Sequence, residues 1–224
     1  MSELNMTIQS GVTRVLHTAG KHCEGDIVIK AEGGDYDKGY ESGVAQGEQN
    51  AYDAFWDAFQ ENGNRRTYNW AFYGTKWVDA CFNPKYDIII EGAATNAFAQ
   101  TGITDTKVAV DISNCTNTAG LFSNSVAIKT IRKLKVSENT PMAGDMFSWT
   151  TELTNITVEG TIGKSIVFPN SPKLTTASVD SIINALKDLT GATAQTLTLH
   201  ATVGAKLTDA QKAAITAKNW TLVY

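Results

Sequence analysis

The chain has 224 residues, 42% of them hydrophobic and 19% charged, and carries a net charge of −4. This is the composition of an ordinary globular chain long enough to bury a core, neither disordered nor membrane-embedded. It has no basic stripe of the kind that binds nucleic acid, and apolar runs such as Ile88-Ile89-Ile90 fall far short of the roughly 18 residues that would cross a bilayer.

Residues 1–34 read as a small β unit. Val12 to Leu16 and Asp26 to Lys30 have strand composition, and Thr18-Ala19-Gly20-Lys21 and Gly25 break the chain between them. So small a unit is marginal alone, so it is expected to dock and serve as an attachment module. Residues 35–62 change to helical periodicity, with Tyr40, Val44, Ala51, Ala54, Phe55, Ala58 and Phe59 along one side. Gly39, Gly43 and Gly47 form a second stripe at steps of four. An interior glycine costs about 1 kcal/mol against alanine in a helix, so three of them imply a gain from close backbone approach. Gly39, Tyr40, Gly43, Val44 and Gly47 are therefore the expected contact face of a homo-oligomer, with a solvated connector over Asp35 to Gly47 as the alternative.

Residues 63–224 read as one larger unit. It opens with the aromatic stretch Tyr68, Trp70, Phe72, Tyr73, Trp77 and Phe82. Such a cluster seals an open end of a stack with large apolar area, or supplies a sugar-stacking platform. Tyr68, Trp70, Tyr73 and Trp77 are the expected contact residues. Phe98, Phe122 and Phe147 then recur at intervals of 24 and 25 residues, each followed by a β-branched run: Val108 to Val110, Leu134 to Val136 and Ile156 to Val158. A period in the twenties predicts a solenoid, because one unit cannot bury its own apolar face and its neighbours must supply the wall. Parallel strands are expected at Ile88–Ile90, Val108–Ile112, Leu134–Val136 and Ile156–Val158. Val179, Ile182, Ile183, Leu186 and Leu189 predict an amphipathic helix ended by Gly191. Thr196 to Leu199 alternates as a strand, Thr208 and Gln211 have capping-box spacing before a helix from Asp209 to about Lys218, and Trp220 to Tyr224 predicts a terminal strand.

The segment Phe147 to Gly160, with Glu152-Leu153 and Ile156-Thr157-Val158, resembles the BspA-type leucine-rich repeat. The run from Leu174 through Ile182-Ile183, Thr196 to Leu199, Leu207 to Lys212 and Trp220-Thr221-Leu222 looks like the closing cassette of such repeats in phage and prophage proteins of gut Firmicutes. Thr18 to Ile29 is similar to a small β module of phage tail-associated proteins, and Gly39 to Gly43 with Ala51 to Gln60 is similar to the helix that follows it. The resemblance implies an α+β repeat fold: a short leucine-rich-repeat-like β-solenoid with a C-terminal helical cap, preceded by a small β unit and a helix. It offers no catalytic or ligand residues.

The expected function is accordingly that of a non-catalytic virion structural or receptor-contact protein, in a tail tip, baseplate or fibre. Its partners would be other virion proteins and a host-surface protein or glycan, with no nucleic acid and no membrane. The first residues lack a basic and then apolar leader, so the expected route is synthesis in the bacterial cytoplasm and export within a particle. A bacterial surface or secreted adhesin is the second reading, and a polysaccharide-active enzyme the third. That third reading needs two carboxylates at a defined separation, yet Asp105, Asp111, Asp145, Glu152 and Glu159 sit at unlike offsets from the repeated phenylalanines. No serine triad is built from His17, His22 and His200. Cys23, Cys81 and Cys115 are too widely spaced for a zinc site, and His22-Cys23 alone does not make one. No catalytic residue, cofactor or metal is expected.

Overall fold

The computed structural model describes residues 4–8, 12–16, 73–74, 79 and 87–224. The chain divides into two compact units, Met1–Asn64 and Arg65–Tyr224. In the first, β1 (Leu4–Ile8) and β2 (Val12–Leu16) form an antiparallel pair that sets Leu4 opposite Leu16 and Ile8 opposite Val12. The sequence reading identifies β2 and overlooks β1. The strand expected at Asp26 to Lys30 and the helix over 35–62 lie outside the described residues, as do Gly39, Tyr40, Gly43, Val44 and Gly47.

The second unit is built on a four-stranded parallel sheet in which β3 (Ile88–Ala93), β4 (Ala109–Asn117), β5 (Thr130–Val136) and β6 (Asn155–Gly160) neighbour one another in chain order. Ile88, Val110, Leu134 and Val158 stand in register. Side chains alternate across such strands, so Ile88, Ile90, Val110, Ile112, Leu134 and Ile156 are buried on the inner face, and a register shift between Ile131 and Leu134 lets Ile131 be buried as well.

The wall opposite this sheet is made of turns at 95–100, 119–124 and 144–149. Their backbones are bonded turn to turn. The amides of Asn96, Phe98 and Gln100 donate to the carbonyls of Ala119, Leu121 and Ser123 at 2.8, 2.9 and 2.9 Å, and those of Phe122 and Asn124 donate to Met146 and Ser148 at 2.9 and 2.8 Å. Between wall and sheet lies a column of rings. Phe98 stacks on Phe122 with centroids 5.6 Å apart, Phe122 on Phe147 at 6.0 Å and Phe147 on Phe168 at 4.5 Å, with planes inclined by 13°, 6° and 19°. All four rings are fully buried. Phe168 joins the column from β7 (Ile166–Phe168) although it follows Phe147 by 21 residues.

Each ring is followed three residues later by a buried hydroxyl: Thr101, Ser125, Thr150 and Ser171. Turn carbonyls inside an apolar core need donors, and Thr101, Ser125 and Thr150 supply them. Thr101 and Ser125 both donate to Phe98 O, at 2.9 and 2.6 Å, and Thr150 donates to Phe147 O at 2.8 Å. Thr101 also meets Ser125 at 3.3 Å, and Thr150 meets Ser171 at 2.8 Å.

The expected leucine-rich-repeat-like solenoid is corrected by the sheet topology. Among the described residues, Arg65–Tyr224 has α/β character, with two separate short parallel sheets, of four and three strands, and three helices. The first sheet ends at β6 for a local reason. The outer amides of that strand are taken by a helix instead of a fifth strand: Ile156 N donates to Ser178 Oγ at 2.9 Å and Val158 N to Ser181 Oγ at 2.8 Å. Gly160 then turns the chain at φ 102°, tucked so closely that a Cβ there would lie 1.9 Å from Val136 O.

The second sheet has the order β7, β8 (Gln195–Leu199), β9 (Trp220–Val223), all parallel. Helix α1 (Thr176–Ala185) starts at Thr175, whose side chain accepts from Ser178 N. It stops before the expected Leu189, because Leu186 forms a parallel bridge with Ile162. Ile162 N donates to Ala185 O at 2.7 Å and Lys187 N to Ile162 O at 2.9 Å, so the chain leaves the helix to make these bonds. Lys218 Nζ closes the helix end by donating to Ile183 O, Asn184 O and Leu186 O at 2.9, 3.1 and 2.8 Å. A cation is favoured there by the helix dipole. Helix α2 (Ala201–Gly204) is not anticipated from sequence, whereas α3 (Asp209–Ala217) has the capping box that Thr208 and Gln211 predict. Tyr224, beyond β9, lies against Gly204, where a Cβ would come within 2.0 Å of its ring.

Removing one ring from the middle of the column leaves a cavity that the stacked neighbours cannot fill. Phe122→Ala is expected to lower stability by about 3–5 kcal/mol, measured by urea denaturation. A loss under about 1 kcal/mol would mean that the column is not the core.

Candidate functional site

The outer face of the four-stranded sheet carries an ordered row of polar groups. Register sets Ile89, Asp111, Lys135 and Glu159 in one row across β3, β4, β5 and β6. Lys135 Nζ reaches Asp87 at 2.8 Å and Lys133 Nζ reaches Glu159 at 2.7 Å, so the signs alternate and each lysine is engaged. The hydrogen bond that Lys135 donates to Asp87 raises the Lys135 pKa, and the one that Glu159 accepts from Lys133 lowers the Glu159 pKa. Asp111 accepts from Ser113 N at 2.9 Å within its own strand.

A second cluster gathers beside β5. Asp79 Oδ1 accepts from the amides of Thr104 and Asp105 at 2.6 and 2.8 Å, and Asp79 Oδ2 accepts from Thr104 Oγ1 at 2.5 Å. Arg132 grips Asp105 through both Nε (2.9 and 3.1 Å) and Nη2 (2.6 Å), and Lys107 Nζ lies 3.3 Å from Asp105 and 3.8 Å from Asp79. Burial by itself would push the Asp105 carboxyl up. The bonds from Arg132 and from the Lys107 backbone and side chain outweigh it, and the pKa falls to about 2. Glu152 is likewise lowered by Lys173, and Glu138 by Lys187. These carboxylates are held ionised by fixed cations, which suits a charged contact surface and not proton donation near neutral pH.

Along the outer edge of β6 runs an open groove of about 580 Å³, lined by Val158, Gly160, Asp180, Ser181 and Asn184 among others. Its polar groups are already committed in part: Ser181 accepts from Val158 N, and Asp180 accepts from Gln211 Nε2 at 2.7 Å. Cys115 is buried and unpaired in a disulfide, its Sγ donating to Ile90 O at 3.4 Å. Burial, with a smaller push from Asp111, raises that thiol to about 12, so it is chemically inert core.

Of the expected contact residues, Tyr68, Trp70 and Trp77 lie outside the described residues. Tyr73 is 39% exposed, in a turn whose Gly74 N donates to Ala99 O at 3.0 Å. The carboxylates weighed as an acid pair are dispersed among separate partners, Asp145 accepting from Gly120 N at 3.0 Å. Sequence reasoning overlooks the row of buried hydroxyls, although the repeated spacing of phenylalanine, two residues and serine or threonine is legible in the chain. It also overlooks Trp149, which stands 56% exposed two residues after Phe147. Among the described residues no helix is long and apolar enough to cross a membrane, and no group of three metal-ligating side chains converges. Comparison with family models, curated proteins and solved structures gave no match.

The Asp105–Arg132 pair has a definite pH signature. The folded pKa of Asp105 lies below its ordinary value of 3.8, at about 2, so its stabilisation is complete above about pH 4 and is lost as pH falls through about 2. Arg132 is more than half exposed, so solvent screening keeps the pair weak. Arg132→Gln is expected to lower stability slightly at pH 7 and by a clearly smaller amount at pH 2, where Asp105 is about half protonated, in paired urea titrations. An equal loss at both pH values would assign the effect to packing.

Proposed function

We propose that this chain is a non-catalytic structural or contact protein of a phage or prophage particle, placed in the tail tip, baseplate or fibre. Its N-terminal unit would join other virion proteins, and the sheet face of Arg65–Tyr224 would meet the target. The assignment to a particle rests on the likeness of Thr18 to Ile29, and of Gly39 to Gly43 with Ala51 to Gln60, to tail-associated modules. The observation that carries the contact role is the row Asp111, Lys135 and Glu159, in register on strands whose inner residues are fully buried. A fixed array of alternating charge on a stiff support orients a partner and rejects mismatched ones, while adding little affinity per contact. Many copies on one particle would convert such weak contacts into firm attachment. Ionised, cation-bound carboxylates favour this role over acid catalysis.

The test is mass spectrometry of particles purified from an induced lysate of the source bacterium. The chain is expected at fixed stoichiometry with tail proteins. Its absence from intact, infectious particles would overturn the reading.

A further inference from the structure

The turn wall carries one residue that breaks its own pattern. Two positions after Phe98, Phe122 and Phe147 the backbone enters the left-handed region: Gln100 at φ 57°, Asn124 at 57° and Trp149 at 60°. Asparagine tolerates that conformation, because its short amide bonds the local backbone, whereas a bulky side chain there is strained. Trp149 is also 56% exposed, so the same residue leaves a large apolar surface in water. Its indole N–H makes no hydrogen bond among the described residues, unlike that of Trp220, which donates to Lys187 O at 2.8 Å. Strain and exposure coincide at this one position, which marks a functional site more readily than a structural one.

The neighbours define what the indole would meet. The turns are hydrogen-bonded in sequence and share one backbone conformation, so Gln100, Asn124 and Trp149 project alike from successive turns. Asn124 N donates to Ser148 O at 2.8 Å, and Trp149 N donates to Asn170 Oδ1 at 3.2 Å, which fixes Asn124 and Asn170 on either side of the tryptophan. Asn124 uses its amide nitrogen on Ser123 Oγ at 3.1 Å and keeps its carbonyl oxygen as an acceptor. Asn170 uses its oxygen and keeps its NH2 as a donor. The charges three residues further along, Glu152 and Lys173, neutralise each other at 2.5 Å.

We infer that Trp149, flanked by Asn124 and Asn170, is a binding site for a neutral carbohydrate, the indole stacking on the C–H face of a pyranose while the carboxamides bond its hydroxyls. An aromatic plane with amide donors and acceptors and no net charge matches a polyhydroxylated neutral ring better than an anionic ligand or a basic peptide. This goes beyond the contact role proposed for the charged sheet face, because it places a separate contact on the turn edge.

The experiment compares the full chain with Trp149→Asn and Trp149→Phe on an array of immobilised neutral oligosaccharides of hexose and N-acetylhexosamine units, beside sialylated and sulfated ones. The wild-type chain is expected to bind neutral members, Trp149→Phe to retain part of the signal, and Trp149→Asn to lose it at least ten-fold. Thermal melting supplies the second readout: Trp149→Asn, carrying the residue that Asn124 provides in the preceding turn, is expected to melt at or above the wild-type temperature. A melting point several degrees lower would make Trp149 a structural residue and overturn the inference. So would preference for anionic sugars, absence of binding, or adhesion to host cells that survives periodate and is destroyed by protease, which would identify a protein partner. A particle that contains the chain but shows no glycan binding defeats only this inference, whereas a particle without the chain defeats the virion role.

Discussion

Face-to-face packing of Phe98, Phe122, Phe147 and Phe168 is the constraint on which the rest of the second unit depends. Neighbouring strands in a sheet lie about 4.8 Å apart, and offset aromatic stacks settle at 4.5–7 Å. The two spacings are close enough for a sheet and a turn wall to advance together, one strand and one ring per step. The ring also thickens the layer between them, which demands that every turn carbonyl facing inward find a donor. Thr101 and Ser125 answer that demand at Phe98 O and Thr150 at Phe147 O, while Ser171, at the same offset, bonds Thr150. Removing the Thr150 hydroxyl would take its side-chain donor from a buried acceptor, a penalty of about 1–3 kcal/mol, whereas Phe98 O would keep one of its two.

This column explains how the polar surface is held. The sheet residues that face outward, Asp111, Lys135 and Glu159, inherit their alignment from inward neighbours packed against the rings. The turn edge inherits its alignment from backbone bonds between successive turns. The molecule therefore presents two distinct exterior features from one core, a charged sheet face and a neutral turn edge. The helices serve a different purpose. Helix α1 takes the outer amides of β6 through Ser178 and Ser181, which blunts an edge that would otherwise pair with another chain.

Much of the local structure was legible because the signals were strong and short in range. The β-branched runs mark all four strands of the larger sheet, and Thr208 with Gln211 marks the start of α3. The period of Phe98, Phe122 and Phe147 reveals that rings are equivalent, yet it misleads about architecture. It does not show that serines of α1 would replace a fifth strand, or that Gly160 would end the sheet, because both depend on tertiary contacts. Leu186 and Leu189 continue a helical pattern in sequence but are claimed by contacts with Ile162 and Lys218 in space. Ser165 to Phe168 reads correctly as a strand stopped by Pro169, and only the shorter interval hides that Phe168 belongs to the ring series. Trp149 escapes because a tryptophan near a repeated phenylalanine reads as core; only its backbone angle and exposure set it apart. The expected glycine stripe and three of the four expected aromatics lie outside the described residues, so the candidate site rests on residues found in the structure.

The most direct measurement is native-state amide hydrogen exchange resolved by residue. If the ring column unites the turn wall with the sheet, the amides of Phe98 and Phe122 open with those of Val110 and Leu134, and their protection factors agree within about ten-fold. Turn amides that exchange about a thousand-fold faster than the strand amides would show that the wall opens alone, and the column would then not be what holds the unit together.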